Sequence, residues 1–218
     1  MRKSRGSSVE KVRPGDAGYI PTRSIKTSKF QHDLPLKGRF HVEHWRKNKA
    51  GVAELLREID MPNGITGQGK EWMFKVLFRN STPITPWYNL LISGAGFTAL
   101  AVGDVYAQIN GTNAWDEFVD YTDGNNGDSA TTRPEWVENA PSTVGATTTI
   151  ANTTVGIFNI TATGTVKGIG TVGGGSDADL KNDTATTGGI LWGTALFTGG
   201  DVSVILGDQL KSVYSVTA

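Results

Sequence analysis

From Pro83 onward the chain proceeds as short runs rich in β-branched and aromatic residues, each cut off by a cluster of Gly, Asp or Asn. The runs are PWYNLLI, DEFVDY, IFNIT, TATGTVKGIGTV, ILWGTALF, VSVIL and KSVYSVTA. Between them lie turn-forming stretches such as DGNNGDS, GGGSD, TTGG, TGGD and GDQ. Runs this short, punctuated this regularly, predict antiparallel strands joined by tight turns. The expected fold class is therefore mainly β, an antiparallel sandwich of jelly-roll-like kind or a barrel, spanning residues 40–218. Residues 139–218 carry only eight charges, so Thr, Ser, Gly and Asn must supply much of that surface. In the last run Val213, Ser215 and Thr217 oppose Ser212, Tyr214 and Val216, a moderate alternation.

Residues 40–80 read differently. FHVEHW alternates as a strand does, with Phe40, Val42 and His44 on one side. The stretch that follows fits two readings. Val52, Leu55, Leu56 and Ile59 match helical spacing, while RKNKAG fits a hairpin turn. Beyond Pro62 and Gly64, Thr66 is placed to cap a short helix near 67–79. Trp72, Met73, Val76 and Leu77 would share its face, and Asn80 and Pro83 would end it.

The formal net charge of zero conceals a division. Residues 1–50 hold thirteen Lys/Arg against four acids, a net +9, and the other 168 residues carry −9. Within 1–39, Pro14, Pro21 and Pro35 oppose helix, and apolar residues recur without helical or strand period. This predicts an extended basic arm of up to about 130 Å. Its candidate partner-binding residues are Arg2, Lys3, Arg5, Val9, Lys11, Arg13, Tyr19, Ile20, Arg23, Ile25 and Phe30. Apolar anchors spaced along a basic chain suit a strap lying on another protein. Nucleic acid is the weaker expectation, because aromatics in the arm are few and the rest of the chain is acidic.

The chemistry available is narrow. The chain has no Cys, which excludes disulfides, thiolate metal sites and cysteine nucleophiles. The three His all precede residue 45, so a Ser-His-Asp triad within 83–218 is excluded. HVEH is not HExxH, and on a strand His41 and His44 point to opposite faces. Acids cluster between Asp104 and Glu138, where no two are marked as a catalytic pair. DYTDGNNGD offers oxygen ligands for calcium, but Asp128 falls where an EF-hand loop needs Gly. GIGTVGGG lacks the Lys-Ser/Thr of a phosphate loop. No stretch has the apolar length of a membrane span, and MRKSRGSSVEK is not followed by the hydrophobic region of a secretory signal. The expectation is a non-enzymatic protein without cofactor or metal, assembled in a cytoplasm.

One ordered set of motifs carries a resemblance. HVEHW and a helix are followed by TPITPWYNLLISGAG, AWDEFVDYT and TRPEWVENAPS. Then come TTTIANTTVGIFNITATGTVKGIGTV, GGILWGTALF and LGDQLKSVYSVTA. Over residues 40–218 this resembles small virion proteins of tailed bacteriophages, both head decoration (cement) and tail-fibre-like β proteins. The resemblance implies an antiparallel β domain and a structural role. The expected partner is the major capsid protein on the outer head surface, with self-association as a homotrimer. A tail-fibre, neck or adaptor component and a carbohydrate-binding module for host attachment remain the alternatives. Arg133, Pro134 and Trp136 form the expected structural corner. Pro134 sets an extended bend, Trp136 seals the sheet end, and Arg133 stacks on an aromatic or pairs with an acid.

Overall fold

The first strand begins at Lys37, three residues before the expected domain start, so Lys37, Gly38 and Arg39 are strand rather than arm. The computed structural model describes residues 36–182 and 188–218. All eleven arm residues singled out above lie outside the described residues. Thirteen antiparallel strands and one α-helix are formed among the described residues.

β1 (Lys37–Lys47) and β2 (Ala53–Ile65) form a long hairpin, which decides the question left open by 50–60. The Asn48 side chain closes its turn by accepting from the N–H groups of Ala50 and Val52. Gly51, at φ +80°, takes the left-handed position there. Then come α1 (Gly67–Arg79), β3 (Trp87–Ser93), β4 (Glu117–Phe118), β5 (Tyr121–Asp123) and β6 (Glu135–Trp136). β7 (Ser142–Val144) and β8 (Thr147–Ala151) make a hairpin that the sequence reading did not single out. The chain closes with β9 (Gly156–Ile160), β10 (Gly164–Gly173), β11 (Ile190–Leu196), β12 (Val202–Val204) and β13 (Gln209–Thr217).

The strands make one hydrogen-bonded sheet, ordered β4-β3-β10-β11-β2-β1-β13-β8-β7 along its main path. β2 provides the continuity. Its residues 53–63 pair with β1, and Gly64 and Ile65 pair with β11. Side chains from both halves of the path meet in one core: Phe40, Val42, Ile59, Leu210 and Tyr214 from one half, Leu91, Val166, Ile169 and Ala195 from the other. Phe40 stacks on Tyr214 with ring centroids 4.2 Å apart.

β13 alternates strictly in burial, Leu210, Ser212, Tyr214 and Val216 inward, because only one of its faces meets the core. β3 and β10 do not alternate, because they are covered on both sides. Their second face meets Tyr106, Ile109, Trp115 and Ala178, which form a smaller core with Leu90, Ile92, Val172 and Leu191. The segment 94–116 supplies most of that cover. Asp104 pins it by accepting from the Trp115 indole (2.8 Å) and the Ala101 N–H (2.9 Å).

α1 lies on β11. The Thr66 hydroxyl accepts from Gly69 N–H at 3.0 Å, and Asn80 ends the helix in the left-handed conformation. Gly69 lets the helix approach closely, since a Cβ there would stand 2.6 Å from the Trp192 carbonyl oxygen. Trp72, Met73 and Val76 are half-buried, as helical spacing requires, with Trp72 packed on the main core. Leu77, expected on that face, is instead exposed beside Phe74 and Phe78.

Candidate functional site

The corner at Arg133-Pro134-Glu135-Trp136 sits where the two cores meet. β6 pairs with β3, setting Trp136 opposite Trp87, and the Asn89 N–H donates to the Pro134 carbonyl at 2.9 Å. Trp136 is 6% exposed. Its indole donates to the Tyr214 carbonyl at 3.1 Å and meets the Tyr214 ring edge-on at 5.3 Å.

Arg133 is 1% exposed, an unusual depth for a guanidinium. It is held by a bidentate pair, Nε and Nη2 donating to Glu117 Oε1 and Oε2 at 2.9 and 2.7 Å. Nη1 donates to the Ala178 carbonyl at 2.8 Å, and the guanidinium lies 5.8 Å from the Tyr106 ring centroid. Both roles foreseen for Arg133, acid pairing and aromatic contact, are thus occupied. Burial by itself would favour losing the proton, but the Glu117 carboxylate outweighs it and holds the guanidinium charged. Glu117 also accepts from the Asn182 N–H at 2.8 Å. Burial, followed by the Glu117 charge, drives the nearby Tyr121 hydroxyl well above its ordinary titration range.

A second buried charge lies in the turn between β12 and β13. The fully enclosed Asp208 carboxylate accepts from Arg46 Nε and Nη2, each at 2.7 Å, and lies 2.8 Å from His44 Nε2. It also receives the Ile205 N–H at 3.0 Å. Burial pushes its pKa up, but the bonds from Arg46 and His44 prevail and hold it below the usual carboxylate range. His41 faces the other way, 3.3 Å from Asp60.

The acidic DGNNGDS turn spends its oxygens on itself and on its neighbours. Asp123 accepts from Asn125 N–H (3.0 Å) and the Thr132 hydroxyl (3.1 Å), and Asp128 accepts from Thr122 and Asn159. Among the described residues no three His, Asp or Glu side chains are grouped to hold a metal ion. Beside the corner is a cleft of about 370 Å³ lined by Tyr88, Asn126, Thr132, Glu135 and Asp179 among others. Burial, with Asp179 and Glu135 close by, pushes the Tyr88 hydroxyl up to about 12.

An outward apolar feature belongs to α1. Phe74, Leu77 and Phe78 are 55%, 62% and 77% exposed, and the two phenyl rings pack at 6.0 Å. Exposed Lys70, Lys75 and Arg79 stand around them, with Lys75 bonded to Glu71 at 2.7 Å. The sequence contained this patch but did not reveal it, because helical spacing alone does not say which of two apolar faces meets the sheet. No helix among the described residues is long and apolar enough to cross a membrane. Searches against protein-family models, curated proteins and solved structures give no match to this chain.

Proposed function

We propose that the chain is a structural subunit of a tailed-phage virion, acting as a decoration (cement) protein on the outside of the head. The β domain docks on the major capsid protein, the basic leading segment straps it to neighbouring subunits, and copies associate as a homotrimer. The observation that carries this reading is the outer face of α1. Exposed Phe74, Leu77 and Phe78 set among basic residues make an apolar contact surface suited to an acidic partner. The buried charges at Arg133 and Asp208 are committed to holding the fold. The resemblance of the motif order to that of phage virion proteins points the same way. A tether in addition to a docking face adds attachment without new chemistry, because the second contact becomes intramolecular once the first has formed.

The test is reconstitution on heads stripped of the protein. The full chain should bind at a copy number that follows the capsid lattice, and a handful of copies per particle would assign it to the tail or neck. Phe74→Ser/Phe78→Ser should fold normally and bind heads weakly, and deletion of residues 1–35 should weaken binding independently. Heads decorated at wild-type levels by both variants would refute the proposal.

Host attachment through a glycan is the second reading, favoured by the polar cleft beside Tyr88. Trp136 is buried and cannot serve as its stacking platform. Glycan-array binding lost in Tyr88→Ala would support it over decoration.

A further inference from the structure

We infer that a pocket between α1 and the sheet binds a quaternary ammonium group, of the kind carried by choline. Four tryptophans from four elements line it: Trp72 of α1, Trp87 of β3, Trp136 of β6 and Trp192 of β11. Ile150 and Val216 complete the wall, and the volume is about 190 Å³. That is below the roughly 300–1,000 Å³ of a site for a drug-sized ligand, so the occupant is a small group.

The orientation of the rings selects its charge. Trp72 stands against Trp87 at 80° with centroids 5.2 Å apart, and Trp87 against Trp192 at 62° and 5.9 Å. Steeply inclined indoles form the corner of a box. Indole faces are electron-rich, and such boxes attract cations through the ring quadrupole. The side chains lining the pocket present no carboxylate, amide or hydroxyl. Two of the indole N–H groups are already spent, Trp136 on the Tyr214 carbonyl and Trp192 on the Tyr214 hydroxyl at 2.8 Å. A primary ammonium such as that of lysine is strongly hydrated and would lose its water there without replacement. A quaternary ammonium has no N–H to satisfy and needs only ring faces.

Nor does the protein fill the box with a cation of its own. Among the described residues, the cation–ring contacts fall on Tyr106, Phe97, Tyr121 and Trp45, and none falls on these four tryptophans. This inference is independent of the virion reading, since a decoration protein needs no small ligand.

The test is a titration of the full chain followed by tryptophan fluorescence and calorimetry. Choline and tetramethylammonium are compared with 3,3-dimethylbutan-1-ol, the uncharged carbon isostere of choline, and with ethanolamine. Saturable binding of the two quaternary ions is expected, with the isostere and ethanolamine at least about tenfold weaker. Trp192→Phe should keep most of the affinity, while Trp72→Leu, at a half-buried ring, should lose about tenfold. Phosphatidylcholine vesicles added in a parallel arm separate a lipid headgroup from a free ion as the source, since only the former carries the protein into the vesicle pellet. Equal binding of choline and its isostere would make the pocket merely apolar and overturn the proposal. So would the absence of saturable binding by either quaternary ion, a comparison that requires no variant to fold.

Discussion

Arg133→Met removes one half of the buried pair with Glu117, whose side chains both have no exposed surface. Truncating one partner of such a pair leaves the other charge stranded, at a cost of about 3–5 kcal/mol. Against a typical total stability of about 5–15 kcal/mol, that is a large fraction. For a domain of roughly 150–250 residues, each kcal/mol moves Tm by about 2–4 °C, so a fall of about 6–20 °C is expected. The cost should sit towards the lower end if Asn182 N–H and the Tyr121 hydroxyl continue to donate to Glu117. Glu117→Leu should cost a similar amount by stranding Arg133. The double variant Arg133→Met/Glu117→Leu strands no charge and loses only the neutral partners, such as the Ala178 carbonyl. At about 0.5–1.5 kcal/mol per lost bond, it should cost about 1–3 kcal/mol in all. The coupling between the two sites is then at least about 3 kcal/mol, readable from urea unfolding followed by tryptophan fluorescence with unchanged m-values. A double variant whose cost equals the sum of the singles would refute the reasoning, as would an Arg133→Met cost below about 1 kcal/mol.

Asp208, held below its unfolded pKa by Arg46 and His44, stabilises the fold above the ordinary carboxylate range of about 4, and that contribution is lost as pH falls through its depressed folded value. Asp208→Asn should therefore be less stable at neutral pH and show a shallower acid limb in Tm measured against pH. Gly69→Ala should destabilise by about 1–3 kcal/mol in thermal unfolding, because the added methyl meets the Trp192 backbone and pushes α1 off β11. Gly168→Ala should cost at least as much, its Cβ falling 2.1 Å from the Ala195 carbonyl oxygen in the middle of the sheet. Phe78→Ser, on the exposed side of α1, should leave stability within about 0.5 kcal/mol by the same measurement.

The parts of the fold that were legible in the sequence are those decided locally. The Thr66 cap and the Asn80 stop are hydrogen-bond and backbone properties of a few adjacent residues, and they stand where the spacing puts them. The strand runs are likewise marked by their turns. The 50–60 stretch was ambiguous because Val52, Leu55 and Leu56 lie near the turn of the hairpin and are exposed there. Among the residues of that spacing only Ile59 reaches the core, so the helical pattern came mostly from residues that bury little. The continuity of the sheet through β2 was not legible, because it depends on Gly64 and Ile65 meeting Thr194 and Gly193 far along the chain. The corner motif announced a bend and a buried indole, but nothing local names Glu117 among the several acids of its region as the partner of Arg133. The four-tryptophan pocket was hidden for the same reason, its rings being contributed by elements remote in sequence.

These long-range pairings also explain how a buried charge bears on a surface helix. Arg133 contacts the Tyr106 ring, and Tyr106 begins a short 3-10 turn whose N–H donates to Gln68 Oε1 at 3.0 Å. Gln68 lies in the first turn of α1, where the same oxygen accepts from Leu191 N–H (2.8 Å) and the amide donates to the Gly189 carbonyl (3.1 Å). The Thr66 hydroxyl adds a bond to the Leu191 carbonyl. The helix start is therefore tied to β11 and to segment 94–116 by bonds from the Gln68 and Thr66 side chains to backbone groups, while its far end carries Leu77 and Phe78 into solvent. An anchored first turn limits how the apolar face can shift, so its ordering entropy is met by folding rather than at the moment of docking. Such an anchored surface suits the docking role proposed for Phe74, Leu77 and Phe78.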